Sequence, residues 1–275
     1  MWGKFAPFMF RKIFLSVLPL LVWGLAGCNP YQKVFKSNDM SYKLTKANEY
    51  FDAKKYEQAN ELYHQLIPVM KGTKSFEPLV LRYAWSFYNM KDYLSASYWF
   101  KNFVDYFPAS KEAEESEFMH ALALFKESPK ASLEQTNTIK SMEALQAFIN
   151  KYPTSKRVVE ASAYIDEGRA KLEQKDANAA DLYFKIGQYR AASVAYRSLL
   201  RNYPESDRAD FYQYMIVRSL YLYARESITE KQEERYANTV TAYRELADLY
   251  PKSAYLADAQ RISRLSDASI NDLRK

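Results

Sequence analysis

Few residues in this 275-residue chain have side chains that could act as nucleophiles or metal ligands. There is one cysteine, Cys28, and there are two histidines, His64 and His120. These exclude a zinc site of Cys and His ligands and an internal disulfide. The six glycines are too scattered to form a phosphate-binding loop, because such loops need several of them close together. We therefore expect no enzyme activity, no metal and no cofactor, and we interpret both histidines as surface or half-buried imidazoles.

The chemistry of Cys28 is indicated by the residues that precede it. Residues Met1–Lys12 carry three positive charges and no acidic residue, and Ile13–Leu25 is a 13-residue apolar run. A bilayer core of about 30 Å needs about 20 apolar residues, so this run is too short to span it. A positive start, a short apolar run and small residues before a cleavage point predict a signal peptide over residues 1–27. The alternative is an anchor helix that is not removed.

The sequence Leu25-Ala26-Gly27-Cys28 resembles the bacterial lipobox. The resemblance implies a diacylglycerol on the Cys28 sulfur, cleavage before this residue and an acyl chain on the new amine. Three acyl chains, at about 0.8 kcal/mol per buried CH₂, would anchor the protein permanently. Asn29 follows, instead of the aspartate that resembles an inner-membrane retention signal, so we expect the outer membrane. Residues 28–40 show little periodicity and are predicted to form an extended, lipidated tether.

The charge distribution argues against a nucleic-acid partner. Three of the 39 Lys and Arg residues lie in the signal peptide. The rest of the chain therefore has 36 basic and 33 acidic residues, a net charge of +3. Basic and acidic residues are interspersed, whereas a nucleic-acid binder concentrates its positive charge in a patch or stripe.

Proline divides the remaining chain at regular intervals of 45, 51 and 47 residues. At each point an aromatic residue precedes the proline, and a serine follows two residues after it. The four prolines are Pro108, Pro153, Pro204 and Pro251. Proline ends the preceding helix, and serine is expected to cap the next one by accepting a backbone N–H. A period of this length predicts a helical repeat array.

In the first, second and fourth units, small residues recur 12 positions apart and are followed by an aromatic residue four positions later. The three sets are Ala47, Ala59 and Tyr63; Ala84, Ala96 and Phe100; Ala180, Ala192 and Tyr196. Small residues allow two helices to approach closely, and the spacing resembles the tetratricopeptide repeat, a 34-residue helix–turn–helix. We predict an all-α solenoid of about five such units with a C-terminal capping helix.

The third and fifth units contain eight additional residues between their small positions. We expect exposed polar loops at 126–138 and 224–235, and a closing helix over 254–265 with Arg261 and Arg264 facing water. The predicted organisation is repeats 1–3 over residues 41–153, and repeats 4–5 with the capping helix over 154–275.

The lipobox, the short tether and five tetratricopeptide-like units in about 250 residues resemble the BamD family of outer-membrane β-barrel assembly lipoproteins. One departure is Lys71, which stands where the first unit should end with proline. The resemblance implies a non-enzymatic adaptor on the periplasmic face of the outer membrane. The implied partners are the POTRA domains of the barrel-forming subunit, other assembly lipoproteins and segments of unfolded outer-membrane proteins.

Helix periodicity predicts which residues would line a peptide-binding groove. Positions on the first helix of each unit, opposite its partner helix, are expected to form the concave face. They are Asn48, Asp52, Arg82, Trp85, Asn89, Phe118, Met119 and Leu122. Such a mixed groove suits an extended strand, because apolar walls accept side chains while Asn and Arg bind backbone or a carboxylate. The alternative is that the apolar members belong to the inter-repeat core.

Other functional classes remain as alternatives. A tetratricopeptide scaffold that coordinates cell-wall synthesis with division is the nearest, but such relatives are usually soluble and often carry a coiled coil. A glycan-capturing surface lipoprotein would normally be much longer. Enzyme activity is disfavoured by the lack of ligands, loops and nucleophiles.

Overall fold

The computed structural model describes residues 30–275, and every regular element in this range is an α-helix. This confirms the predicted all-α fold of helix–turn–helix units. The signal peptide and the lipidation site at Cys28 lie outside the described residues. The helices are α1 Pro30–Phe35, α2 Met40–Asp52, α3 Tyr56–Met70, α4 Phe76–Asn89, α5 Tyr93–Tyr106, α6 Ala113–Lys126, α7 Thr136–Lys151, α8 Val158–Lys185, α9 Tyr189–Asn202, α10 Ala209–Arg225, α11 Thr229–Leu249 and α12 Leu256–Leu273.

The helices form two compact units, and the boundary between them falls within α6, after Ala123. The first unit contains α1 to α5 and most of α6. The second contains the end of α6 and α7 to α12. The grouping of the repeats at residue 153 stays a prediction. None of the twelve helices is both long and apolar enough to cross a membrane.

The core of the first unit is built where the repeat pattern places small residues. Ala47, Ala59, Ala84 and Ala96 all have an exposed fraction of 0%. Helix α2 contacts α3, α3 contacts α4, and α4 contacts α5, and these alanines leave room for that approach. Large side chains, among them the fully buried Tyr63, fill the remaining core.

The segment predicted as an extended tether is instead partly helical. Helix α1 starts with Pro30, a residue suited to the first helical position, and packs against α2. Its Val34 is buried, the Tyr31 ring lies 5.7 Å from the Tyr50 ring, and the Tyr31 hydroxyl hydrogen-bonds Glu61. Tyr31, Val34 and Phe35 are spaced to fall on one face of a helix, and docking stabilises a helix too short to be stable alone.

The second unit contains a helix that belongs to two helix pairs. Helix α8 has 28 residues and contacts both α7 and α9. A Cβ atom added at Gly168 would lie 2.7 Å from Met142 Sδ, so glycine here permits the close approach of α7 and α8. The repeat prolines were the signals used to locate helix ends, and residues 158–185 contain no proline. The length of this helix was therefore not predicted.

The short turns inside three units use the same left-handed backbone position. Seven residues after the first alanine of these units, φ is +59° at Lys54, +64° at Lys91 and +76° at Gly187. Glycine adopts this conformation readily, whereas a left-handed residue with a Cβ costs about 1–2 kcal/mol. Lys54 and Lys91 both lie in the first of the two compact units, which therefore contains backbone strain at these turns. Gly187 lies in the second compact unit, where the corresponding turn avoids this strain.

The two predicted loops have different outcomes. The first insert forms a loop between α6 and α7, as predicted, with Gln135 Nε2 donating to Lys130 O at 2.8 Å. The second prediction was wrong, because α10 continues to Arg225 and α11 already begins at Thr229. The first insert contains Pro129, which disfavours helix, while residues 224–235 contain neither proline nor glycine. The closing helix is confirmed, although it extends further than predicted.

Candidate binding surface

Three of the predicted groove residues meet on the first unit. Asn48 and Asp52 lie on α2, one turn apart, and Arg82 lies on α4. Arg82 Nη1 donates to Asp52 Oδ1 at 2.7 Å, and its guanidinium carbon lies 5.1 Å from the centre of the Phe51 ring. The helix pairing therefore joins residues that are 30 positions apart in the chain. We call Asn48, Asp52, Arg82, Trp85 and Asn89 the α2–α4 surface.

Tyr63 supports this surface from below and was not predicted as part of it. Its side chain is fully buried, and its hydroxyl donates to Asn48 Oδ1 at 2.8 Å. Burial raises the pKa of Tyr63 to about 12, so the hydroxyl stays protonated and keeps donating at neutral pH. The signal was present in the sequence as a 15-residue spacing, which recurs between Asp181 and Tyr196.

The ion pair on this surface is accessible to a ligand. The side chains of Arg82 and Asp52 are 35% and 63% exposed. Exposed ion pairs contribute only about 0–1 kcal/mol, so a carboxylate or carbonyl from a bound peptide could replace Asp52 at small cost. Arginine suits this exchange, because its planar guanidinium can donate two parallel hydrogen bonds.

Trp85 and Asn89 extend the surface along α4. The Trp85 ring is half-buried and meets the Phe100 ring edge-on at 5.2 Å. Asn89 is exposed, and its Nδ2 donates to Trp85 O at 2.7 Å within the same helix. The surface therefore combines a partly accessible aromatic wall with polar groups, which is the composition of a peptide-binding site.

Phe118 and Met119 do not line an open groove, which corrects the prediction for these two residues. Their exposed fractions are 0% and 3%, and Leu122 is also buried at 6%. Helix α6 has buried residues on several faces, including the continuous run from residue 121 to residue 125. A helix segment with apolar residues on all its faces is buried, so the inter-repeat core interpretation holds for these positions in the C-terminal half of α6.

Both histidines have structural environments. His64 is exposed, and its ring lies 6.5 Å from the Tyr83 ring. His120 Nδ1 lies 2.8 Å from Ser97 Oγ and 2.9 Å from Ser97 O, and burial lowers the pKa of His120. Among residues 30–275, no group of three or more His, Cys, Asp or Glu side chains could hold a metal ion.

The serines after the prolines have a role that differs from helix capping. Each helix begins three residues after its serine, and Ser110, Ser206 and Ser253 connect two parts of the chain. Their hydroxyls accept the N–H two residues later and donate to a carboxylate more than 30 residues earlier. The pairs are Ser110 with Glu77 at 2.6 Å, Ser206 with Glu173 at 2.5 Å and Ser253 with Asp210 at 2.7 Å. The motif therefore ties successive helix pairs together.

Comparison with solved structures returns helical-repeat proteins. The TPR2AB domain of yeast Sti1 is 16% identical, with 86% of this chain and 93% of that chain covered and a TM-score of 0.39. The TPR domain of P58(IPK) is 13% identical, with 86% and 58% covered and a TM-score of 0.40.

Comparison with curated sequences returns assembly factors of the outer membrane. A protein of Aquifex aeolicus (strain VF5) that carries the name putative outer membrane protein assembly factor BamD is 28% identical over 233 residues, which are 82% of this chain and 73% of that protein. The outer membrane protein assembly factor BamD of Rickettsia prowazekii (strain Madrid E) is 24% identical over 209 residues, with 74% and 82% covered.

The family model YfiO, described as outer membrane lipoprotein, matches residues 36–211 and 184–268. Together these matches include nearly all the described helices, from the residue after α1 into α12. The similarity to the BamD family inferred from the sequence is thereby confirmed, and the chain belongs to the YfiO family of outer membrane lipoproteins.

Proposed function

We propose that this protein is a lipid-anchored adaptor of outer-membrane β-barrel protein assembly, located on the periplasmic face of the membrane. Membership of the outer membrane lipoprotein family supports the location, and the names of both relatives support the process. The observation that carries the proposal is the α2–α4 surface, where an exchangeable Arg82–Asp52 ion pair lies on the same helix pair as a partly exposed Trp85.

The anchor is proposed to be a diacylglycerol and an N-acyl chain on Cys28. Only Asn29 separates this residue from Pro30, the first residue of α1. At about 3.3 Å per residue, two residues span less than about 10 Å. Because α1 packs against α2, the first unit would be held close to the lipid surface, nearer than a 12-residue tether would place it.

The α2–α4 surface is proposed to bind extended segments of unfolded outer-membrane proteins. Arg82 and the Asn48 amide would bind main-chain carbonyls or a carboxylate, and Trp85 would pack against apolar side chains of the segment. Alternating apolar residues are typical of membrane β-strands, whose lipid-facing side is apolar.

The second unit is proposed to bind the POTRA domains of the barrel-forming subunit and other assembly lipoproteins. It has exposed apolar side chains on α8, in the turn that follows and on α9, where Leu182, Ile186 and Val194 are 56%, 58% and 61% exposed. Exposed apolar side chains of this size favour a protein-binding surface.

The proposed mode of action is binding, without catalysis or a cofactor. Two of the less accessible polar side chains form hydrogen bonds within the protein, the buried Tyr63 with Asn48 and the half-buried His120 with Ser97. Recognition by hydrogen bonds and apolar contacts therefore accounts for the chemistry of the surface.

Photo-crosslinking tests the binding of unfolded substrates. A benzoylphenylalanine replacing Trp85 should capture newly exported outer-membrane proteins in intact cells. Tyr98 is the matched control, since it is an exposed aromatic residue of the first unit on α5, at 62% exposure. Capture from position 98 but not from position 85 would contradict the assignment of the α2–α4 surface.

The substitution Cys28→Ser tests the anchor. Without the thiol no diacylglycerol can be attached, so the protein should leave the outer-membrane fraction. Fractionation followed by mass spectrometry of the N-terminal peptide would measure this. Tight membrane association of the variant would show that partners, and not lipid, retain the protein.

A further inference from the structure

A cleft of about 280 Å³ lies between α10 and α12 of the second unit. One stripe of residues on each helix lines it, at spacings that fall on a single helix face. Helix α10 contributes Arg218, Leu222 and Arg225, and helix α12 contributes Asp258, Arg261 and Ile262. The cleft thus combines three guanidinium groups and one carboxylate with an apolar floor.

The single carboxylate of the cleft is already occupied by partners from the protein. Asp258 Oδ1 accepts two hydrogen bonds from Arg261, at 2.6 and 3.1 Å, and its Oδ2 accepts the Tyr214 hydroxyl at 2.6 Å. The Tyr214 and Arg261 hydrogen bonds hold the pKa of Asp258 below its ordinary value. Asp258 therefore forms its ion pair with Arg261 and forms none with Arg218 or Arg225.

Arg218 is positioned without an anionic partner. Its guanidinium carbon lies 5.1 Å from the Phe184 ring centre and 5.6 Å from that of Tyr214, and a Met215 Sδ contact at 3.9 Å is its hydrogen-bond partner. Neither Arg218 nor the exposed Arg225 forms an ion pair within residues 30–275. The aromatic rings hold Arg218 in place, which lowers the entropy that a ligand must remove.

We propose that this cleft binds an acidic segment of a partner polypeptide, with one carboxylate on Arg218, a second on Arg225 and an apolar side chain between them. The two arginines are seven residues apart on α10, a rise of about 10 Å. Carboxylates three residues apart in a polyproline II segment lie on the same face and are separated by about 9 Å, close to this rise. Leu222 and Ile262 lie between the charges and provide the apolar contact.

The site is separate from the α2–α4 surface and goes beyond the proposed function, since it specifies the charge and spacing of the ligand. A failure of the cleft proposal can also be distinguished from a failure of the function proposed for the α2–α4 surface. A substitution in the cleft should leave crosslinking from position 85 unchanged, whereas loss of the α2–α4 function should leave binding to the cleft unchanged.

Fluorescence anisotropy with a synthetic peptide tests this proposal on the full-length chain in detergent. The probe is a labelled, end-capped peptide with two glutamates three positions apart and leucines between them. We expect Arg225→Gln and Arg218→Gln each to weaken binding about tenfold, as expected for loss of a charge-assisted hydrogen bond. Binding should also weaken as salt rises, because the cleft is open to solvent.

Matched controls separate this site from diffuse electrostatics. Arg197→Gln removes the same charge from α9 of the same unit, outside the cleft, and should leave affinity unchanged. A peptide with glutamines in place of glutamates should bind at least about tenfold more weakly. Equal binding of the two peptides, or equal losses from Arg197→Gln and Arg225→Gln, would overturn the proposal. Arg225 is exposed, so its variant should fold normally even if Arg218→Gln perturbs packing.

Discussion

Each of the two units contains a buried tyrosine that donates a hydrogen bond and an arginine that lies over a phenylalanine ring. The two arginines differ in whether they form an ion pair. In the first, Tyr63 donates to Asn48 and Arg82 lies over Phe51. In the second, Tyr196 donates to Asp181 and Arg218 lies over Phe184. The residues after the two phenylalanines differ, since Asp52 follows Phe51 while Lys185 follows Phe184.

The two arrangements therefore differ at two charged positions, because Asn48 in the first unit corresponds to Asp181 in the second, and Asp52 corresponds to Lys185. In the first unit Asp52 neutralises the arginine that packs on the ring, and in the second unit a lysine occupies the corresponding position. The scaffold of small residues, phenylalanine and tyrosine therefore fixes an arginine above a ring. In the first unit the residue after the phenylalanine pairs with the arginine, whereas in the second unit that residue is a lysine, which cannot pair with it.

The largest expected difference between the two units is in their stability at alkaline pH. Burial raises the pKa of three tyrosines in the first unit and five in the second, Tyr63, Tyr83 and Tyr214 each to about 12. Since the unfolded tyrosines ionise near pH 10, stability should be constant below that pH and fall as pH rises toward about 12.

The second unit should lose its structure first in this titration. Both tryptophans outside the signal peptide, Trp85 and Trp99, lie in the first unit. Their emission wavelength therefore reports on that unit, while far-UV circular dichroism reports on both. The prediction would be contradicted if the tryptophan emission changed at a lower pH than the pH at which half of the circular dichroism signal is lost.

Removing the two corresponding hydroxyls should have unequal effects. Tyr196→Phe leaves the carboxylate of Asp181 without its donor and should cost about 1.5–3 kcal/mol of unfolding free energy. Tyr63→Phe removes a bond to the neutral amide of Asn48 and should cost about 0.5–1.5 kcal/mol. Urea unfolding of both variants measures this difference, and equal losses would show that the charge of the acceptor is unimportant.

The left-handed turn residue should respond oppositely in the two units. Lys54→Gly relieves the strain at φ +59° and should stabilise the first unit by about 1 kcal/mol, which thermal unfolding followed by tryptophan emission would detect. Gly187→Lys introduces the same strain at φ +76° and should destabilise the second unit by about 1–2 kcal/mol. Lys55→Gly, one residue further along, is the control and should not stabilise.

Exchanging the residue after each phenylalanine should have the smallest effect on stability and a clear effect on binding. Asp52→Lys should cost about 1 kcal/mol or less, and Lys185→Asp should gain a similar amount, because exposed ion pairs are weak. Lys185→Asp should also weaken binding of the diglutamate peptide, since it offers Arg218 an internal carboxylate. Unchanged peptide affinity would show that the introduced carboxylate and the ligand do not compete for Arg218.

Local signals in the sequence predicted much of the fold. The helices before the four repeat prolines end at Tyr106, Lys151, Asn202 and Leu249, each close to its proline, because proline constrains its immediate neighbours. Pro68 shows the limit of this rule, since it lies inside the last turn of α3. The alanines at 12-residue spacing are fully buried, as predicted from their small size.

The candidate site was predicted less completely than the fold. Asn48, Asp52 and Arg82 come together as expected, but Phe118 and Met119 are buried. Helical periodicity places a residue on one face of its own helix and does not say which faces neighbouring helices cover. The serine–carboxylate links were missed for the same reason, because each partner lies more than 30 residues away.

What the sequence determined by itself is local: the lipobox at Cys28, the repeat period, the ends of helices at proline and the positions of small residues. Those features depend on backbone geometry and side-chain size within a few residues. Only the tertiary structure decided that α1 docks, that Phe118 and Met119 of α6 are buried, and that Arg82 forms an ion pair while Arg218 forms none within residues 30–275. Burial and charge pairing depend on residues distant in the chain, and their free energies arise when the helices pack together.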